Sequence, residues 1–234
     1  MVFDKKRIFS GLLILAILIF FYFFKLNFIL ITTLILLSIY DILYSKIVSQ
    51  KFLFFCLISL GLLFLFFYEN FPMIIFLSIS LILFLISFFK YRLNNIFFLL
   101  LGCFFYSLYL INFENNFIYI IFLISFINDT SAYIFGNTFK GPLIIPKISP
   151  KKTWSGTISS FFLSLILFKY FGFSNFYSII LSISLFLGDI YFSYIKRSLK
   201  IKDFSNLIPG HGGILDRLDS LFFLPFVIII STLF

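Results

Sequence analysis

Residues 193–219, SYIKRSLKIKDFSNLIPGHGGILDRLD, concentrate the side chains of this chain that could do chemistry. Five cations (Lys196, Arg197, Lys200, Lys202 and Arg217), three carboxylates (Asp203, Asp216 and Asp219) and the sole histidine, His211, fall within 27 positions opened by Ser193. Asp216 and Asp219 stand three apart, so on a helix they share a face. Like charges on one face repel unless a cation lies between them. Arg217 points elsewhere on such a helix, which leaves a metal ion as the economical partner, and oxygen ligands select a hard cation such as Mg²⁺. Asp189 follows Gly188 in an apolar run, and has two readings: an ion pair with Lys196 or Arg197, or a third acid at the metal pair. Pro209, Gly210, His211, Gly212 and Gly213 come just before the aspartates. Glycines let backbone N–H groups approach a phosphate, and a helix N-terminus behind them favours an anion. His211 then reads as a hydrogen-bond donor to phosphate, because a phosphomonoester is mostly dianionic near neutral pH and needs no base.

A second cluster repeats the theme. Lys147, Lys151 and Lys152 alternate with Pro146, Pro150 and Gly156, and Ser149, Thr153 and Ser155 supply hydroxyl donors. Upstream, Asn128, Asp129, Thr130, Ser131, Ala132 and Tyr133 make a polar end to a run otherwise built of Phe and Ile, suited to line a cavity. No Ser-His-Asp order, cysteine nucleophile, Walker loop or dinucleotide fingerprint occurs. Phosphoryl or nucleotidyl transfer suits that inventory, since it depends on positioning and charge neutralisation more than on a covalent nucleophile.

The elements that must carry these residues are membrane helices. The chain is 62% hydrophobic and 24% aromatic, with 41 Phe and only 12% charged residues. No soluble domain covers that much apolar surface with so little polar surface. A bilayer core takes about 20 apolar residues per helix. Nine runs qualify: 8–24, 27–44, 52–68, 73–89, 96–112, 117–135, 157–171, 176–195 and 221–234. The expectation is an all-α, polytopic integral membrane protein of about nine transmembrane helices. The basic, apolar start reads as a first span that stays, because it lacks a small-residue cleavage site. With the N-terminus in the cytoplasm, sixteen of the eighteen Lys and Arg fall inside, leaving Lys25 and Lys169 outside. The chain divides into N-terminal helices, 1–116, and a C-terminal catalytic region, 117–234, with cytoplasmic connections at 136–156 and 196–220. The net charge of +9 is then a cytoplasmic-face charge suited to anionic lipid or a nucleotide. Nucleic acid is a poor partner, since the cations sit in short loops. Cys56 and Cys103 lie in apolar runs without metal-type spacing and read as small buried hydrophobes.

The two clusters together resemble the phosphatidate cytidylyltransferases (CDP-diacylglycerol synthases). The signature matches at Ser193, Lys196, Arg197, Lys202, Asp203, Ser205, Ile208, the five residues 209–213, Asp216, Arg217 and Asp219. A second stretch matches at Asn128, Asp129, Thr130, Ala132, Tyr133 and Gly136, then at Pro146, Ile148, Ser149, Pro150, Lys151, Lys152, Thr153, Trp154 and Gly156. The resemblance implies that CTP and phosphatidate give CDP-diacylglycerol and pyrophosphate with Mg²⁺, and with a second, monovalent cation such as K⁺ at the same centre. It implies that Asp189 and Asp216 hold the metal with Asp219 assisting, and that Lys196, Arg197, Lys202 and Arg217 neutralise phosphates. Lys151 and Lys152 would bind the triphosphate or the lipid phosphate. Asp129, Ser149, Ser193, Asp203, Gly212 and Gly213 would complete the substrate site beside His211. It further implies a homodimer in a bacterial inner membrane, its site facing the cytoplasm. Ser155 and Phe192 stand where the family usually has Glu. Rival expectations are a CTP-dependent lipid kinase, a cytidylyltransferase for another lipid phosphate, a transporter and an inactive homologue.

Overall fold

A computed structural model of the chain describes residues 5–45, helical positions 100, 101, 103, 104, 107 and 108, and residues 117–146, 148–208 and 212–233. The protein is mostly helical, in the order α1 (Lys5–Phe23), α2 (Asn27–Tyr44), α3 (Phe117–Phe139), β1 (Leu143–Ile145), β2 (Ser149–Thr153), α4 (Trp154–Tyr170), α5 (Asn175–Ser198), α6 (Leu215–Leu218) and α7 (Leu224–Leu233). The expected spans at 52–68 and 73–89 lie outside the described residues. Among the described residues, α3 and α5 are long and apolar enough to cross a bilayer, and shorter apolar helices occupy Leu13–Phe23 and Ile29–Tyr44.

The outward faces are apolar: Leu13, Ile17 and Phe20 on α1, Ile158, Phe162 and Ile166 on α4, and Phe176, Ile179, Ile183 and Leu187 on α5 are all exposed. Such stripes suit lipid and would be a liability in water. Buried hydroxyls are satisfied within their own helices, as in Ser38 donating to Leu34 O, Ser164 to Phe161 O and Ser182 to Ser178 O. Between elements, the Ser125 and Ser220 hydroxyls bond at 2.7 Å.

Three helix ends share one device. After α1, α4 and α5 the chain turns through a left-handed residue, Lys25 (φ 52°), Gly172 (φ 92°) and Lys200 (φ 59°). Paired reversals such as Leu26 N–H to Phe21 O and Lys25 N–H to Tyr22 O satisfy the last carbonyls. This is how α1 and α2 fold back within three residues.

α3 packs along α4, α4 along α5, and α7 returns to α5. The core is aromatic. Phe222 stacks on Phe104 (5.4 Å) and Tyr191 (5.6 Å) and meets Phe192 edge-on (5.0 Å), while Phe192 also meets Phe204. Phe104 thereby seats its helical segment against the C-terminal region.

The connection expected at 136–156 is not a loop throughout. α3 runs on to Phe139, and an antiparallel β-hairpin follows, with Leu143 opposite Thr153 and Ile145 opposite Ser149. Ile148 N–H donates to Ile145 O across a turn whose second residue, Pro146, has the fixed φ such turns favour. Thr153 ends β2 and caps α4, accepting from Gly156 N–H at 3.3 Å. The all-α expectation is corrected by this hairpin, which two prolines and β-branched residues build between apolar helices.

Candidate active site

The two clusters separated in sequence converge on one cavity of about 380 Å³. From α3 come Asn128, Asp129 and Tyr133, from β2 Ser149 and Lys152, and from α4 Thr157 and Ser160. α5 adds Ser182 and Asp189, and the 214–220 segment adds Asp216, Arg217 and Asp219.

Close backbone approach brings the acids together. A Cβ on Gly188 would lie 2.5 Å from Asp219 O and 3.0 Å from Ser220 O, so only glycine lets α5 seat on this turn. Asp189, the next residue, therefore faces the same space as Asp219. Its salt-bridge partner is Lys152 of β2, rather than Lys196 or Arg197. The hairpin is held to α5 a second time by Arg197, which donates from Nε to Ile148 O and from Nη1 to Ile201 O, each at 3.2 Å.

Asp216 and Asp219 share a wall of the cavity, but the premise that no protein cation lies between them does not hold. Lys196 Nζ sits 2.9 Å from Asp216 Oδ1 and 3.7 Å from Asp219 Oδ2. It comes from the last turn of α5, 20 residues before Asp216, so spacing along 216–219 could not reveal it. Asp216 Oδ2 accepts from Phe204 N–H and Gly213 N–H, both at 2.9 Å. The Gly213 N–H that glycine spacing suggested for phosphate is thus spent on the protein's own carboxylate. Asp219 Oδ1 accepts the adjacent Ser220 N–H. Burial first, and then the Asp189 carboxylate, raise the Asp219 pKa above the ordinary carboxylate range, while Lys196, Arg217 and Lys152 pull it back.

The other expected residues separate clearly. Arg197, Lys202 and Asp203 are exposed and do not line the cavity, nor do Ser193, Gly212 and Gly213. The Lys151 side chain and His211 lie outside the described residues.

The two departures from the resembled pattern fall away from the cavity. Phe192 is fully buried in the aromatic stack, and Ser155 Oγ accepts from Gly141 N–H at 3.1 Å, bracing the hairpin against α4.

For a hard cation, the donor chemistry fits. Asp129, Asp189 and Asp219 all line the cavity. Among the described residues no three His, Cys, Asp or Glu side chains are grouped to hold a metal. Mg²⁺ does not need such a cage, since it binds through one or two carboxylates and takes phosphate oxygens and water for the rest. Asp189 and Asp219 meet that requirement, whereas Asp216 already serves three protein donors.

One residue of consequence escaped the sequence reading. Asp41 of α2 is fully buried, accepting from Ser205 Oγ at 2.6 Å and Leu215 N–H at 2.8 Å. The signal was there, since an acid inside an apolar run is costly without partners.

Residues 5–234 match the sequence model of the cytidylyltransferase family. A phosphatidate cytidylyltransferase of Rickettsia typhi is 44% identical over 109 residues, covering 40% of this chain and 48% of that protein. Those of Haemophilus influenzae and Staphylococcus aureus are 42% identical over 107 residues (40% of this chain, 37% of that protein) and 40% identical over 118 (46% and 45%). The chain spans about half the length of the Rickettsia relatives it matches.

Proposed function

This chain belongs to the cytidylyltransferase family, and on that premise we propose that it transfers the cytidylyl group of CTP to phosphatidate, giving CDP-diacylglycerol and pyrophosphate. The observation that carries this reading is the single cavity in which the lysine-bearing hairpin meets the aspartates of α5 and residues 216–219. Convergent cations and carboxylates of this kind position phosphates and stabilise charge, which is most of what such a transfer requires.

In this reading Lys152 and Arg217 hold the triphosphate. Asp189 and Asp219 hold Mg²⁺, which when bound would offset charge developing on the α-phosphate and the departing pyrophosphate. A monovalent cation such as K⁺ would share that centre. Lys196 keeps Asp216 and Asp219 from repelling each other. The Ser149 hydroxyl orients phosphate oxygens, whereas Thr157 and Ser160 donate theirs to Thr153 O and Thr157 O. A phosphatidate oxygen attacks the α-phosphorus in line. The new P–O bond forms as the bond to pyrophosphate breaks, and pyrophosphate leaves with the electron pair. Nine spans, a cytoplasmic N-terminus and a cytoplasm-facing site in a bacterial inner membrane belong to the same reading. They are supported by the one-sided placement of Lys and Arg.

The test is turnover by purified protein in detergent with labelled CTP, phosphatidate and Mg²⁺, beside Asp189→Asn and Asp219→Asn. Labelled CDP-diacylglycerol from the wild type, lost in both variants and with EDTA, is the expected result. Folded wild-type protein that makes no lipid-linked CMP would overturn it. CDP together with a phosphorylated alcohol would move the assignment to a CTP-dependent lipid kinase.

A further inference from the structure

The geometry points to Asp41 as the positioning residue of the catalytic loop: from α2, outside the catalytic region, its buried carboxylate ties the two ends of residues 205–215 together. One oxygen takes the Ser205 hydroxyl and the other takes Leu215 N–H, from positions ten residues apart in the chain. Leu215 opens α6, and the next residues are Asp216, Arg217 and, beyond Leu218, Asp219. Asp216 accepts from Phe204, one residue before Ser205, and from Gly213, two residues before Leu215. Two neighbouring carboxylates thus knit one loop through four donors, and only Asp216 also borders the cavity.

The fit around Asp41 is close. A Cβ on Gly213 would come within 2.6 Å of the Asp41 Cγ, so the second glycine of the Gly-Gly pair makes room for this side chain. Asp41 itself is fully buried and does not line the cavity. It acts through the loop, setting where Arg217 and Asp219 stand. Its catalytic consequence rests on the nucleotidyl-transfer reading above.

Asp41→Ala and Asp41→Asn separate a positioning role from the alternatives. Asparagine can keep every bond: its amide oxygen accepts from Leu215 N–H, and its NH₂ donates to Ser205 Oγ, which accepts as readily as it donates. Alanine keeps none. Since a displacement of about 1 Å at a reacting centre can cost about 100-fold, kcat of Asp41→Ala should fall by about that factor. KM for CTP should move less than about threefold, and Asp41→Asn should return kcat to within about threefold of wild type. Amide hydrogen exchange of residues 204–215, measured without substrate, should be at least about tenfold faster in Asp41→Ala and near wild type in Asp41→Asn.

Wild-type kcat in Asp41→Ala, unchanged exchange, or an Asp41→Asn variant as slow as alanine would each overturn the proposal. If Asp41→Ala does not fold, Asp41→Asn decides alone: wild-type turnover and exchange support the clamp, and a loss of about 100-fold refutes it. Wild-type protein without CDP-diacylglycerol synthesis would refute the reaction, and the exchange comparison would still judge the clamp.

Discussion

Gly188→Ala tests whether backbone contact between α5 and the 219–220 turn sets the spacing of the acids. The added Cβ would stand 2.5 Å from Asp219 O and 3.0 Å from Ser220 O, where ordinary contact begins at 3.4 Å. Both obstacles are backbone, so no side chain can swing aside, and the elements must part by about 0.9 Å. Asp189 rides on the moving helix and Asp219 on the turn it leaves, so their separation within the cavity grows by nearly that amount. A misplacement of about 1 Å can cost about 100-fold in rate, which puts the expected loss of kcat at about 10- to 100-fold. Overpacking of this kind also costs about 1–3 kcal/mol of stability, so thermal unfolding in detergent must accompany the rate measurement. Initial rates with labelled CTP at saturating phosphatidate give kcat directly. A larger side chain, Gly188→Val, should do more harm than alanine. Folded Gly188→Ala protein with kcat within about twofold of wild type would refute the reasoning, because the acids would then tolerate a shift that pre-organisation forbids.

Replacing Lys196 by Met leaves Asp216 and Asp219 facing each other without their shared cation. Breaking a buried pair on one side costs about 3–5 kcal/mol, so the variant should melt well below wild type and turn over at the background rate. Arg197→Ala removes the bond to Ile148 O that ties the hairpin to α5 and the bond to Ile201 O that braces the guanidinium beside it, and should speed proteolysis within residues 143–153 and cut turnover; Arg197→Lys should not restore it, because one ammonium cannot span both carbonyls as the guanidinium fork does. Gly172→Ala is the control: its φ of 92° lies with open space around the new Cβ, so it should lose about 1 kcal/mol by thermal melting and keep wild-type kcat.

The helices were legible where apolar length alone decides them. The run 27–44 is α2, and the runs 117–135 and 176–195 lie within α3 and α5. What failed was pairing across elements. Periodicity within 216–219 gave the shared face of Asp216 and Asp219, yet the cation between them arrives from α5. Lys152 and Asp189 sit on a strand and a helix 37 positions apart in sequence, and the sequence reading of the acid offered Lys196 or Arg197 of its own helix, or a metal, instead. The hairpin was hidden because Lys and Pro dominate its composition, and its strands are only three and five residues long. Asp41 was passed over because its partners lie more than 160 positions away.

The charge at this site argues against a purely structural network. Four carboxylates, from Asp129, Asp189, Asp216 and Asp219, line the cavity together with the cations Lys152 and Arg217, and Lys196 sits behind Asp216. Among the described side chains, taken as ionised, these leave an excess of one negative charge. Ion pairs kept only for stability gain from closing to neutrality, since unbalanced charge away from water is costly. A triphosphate adds several negative charges and cannot be neutralised by Lys152 and Arg217 while those side chains also answer to the aspartates. Both imbalances resolve together when a nucleotide enters with a divalent cation. In the proposed reaction Lys152 would exchange Asp189 for phosphate, Asp189 would become free to hold the metal, and each group would keep a counter-charge. The salt bridge from hairpin to α5 would, on this argument, keep a phosphate-binding cation and a metal ligand paired with each other and within reach of their reaction partners.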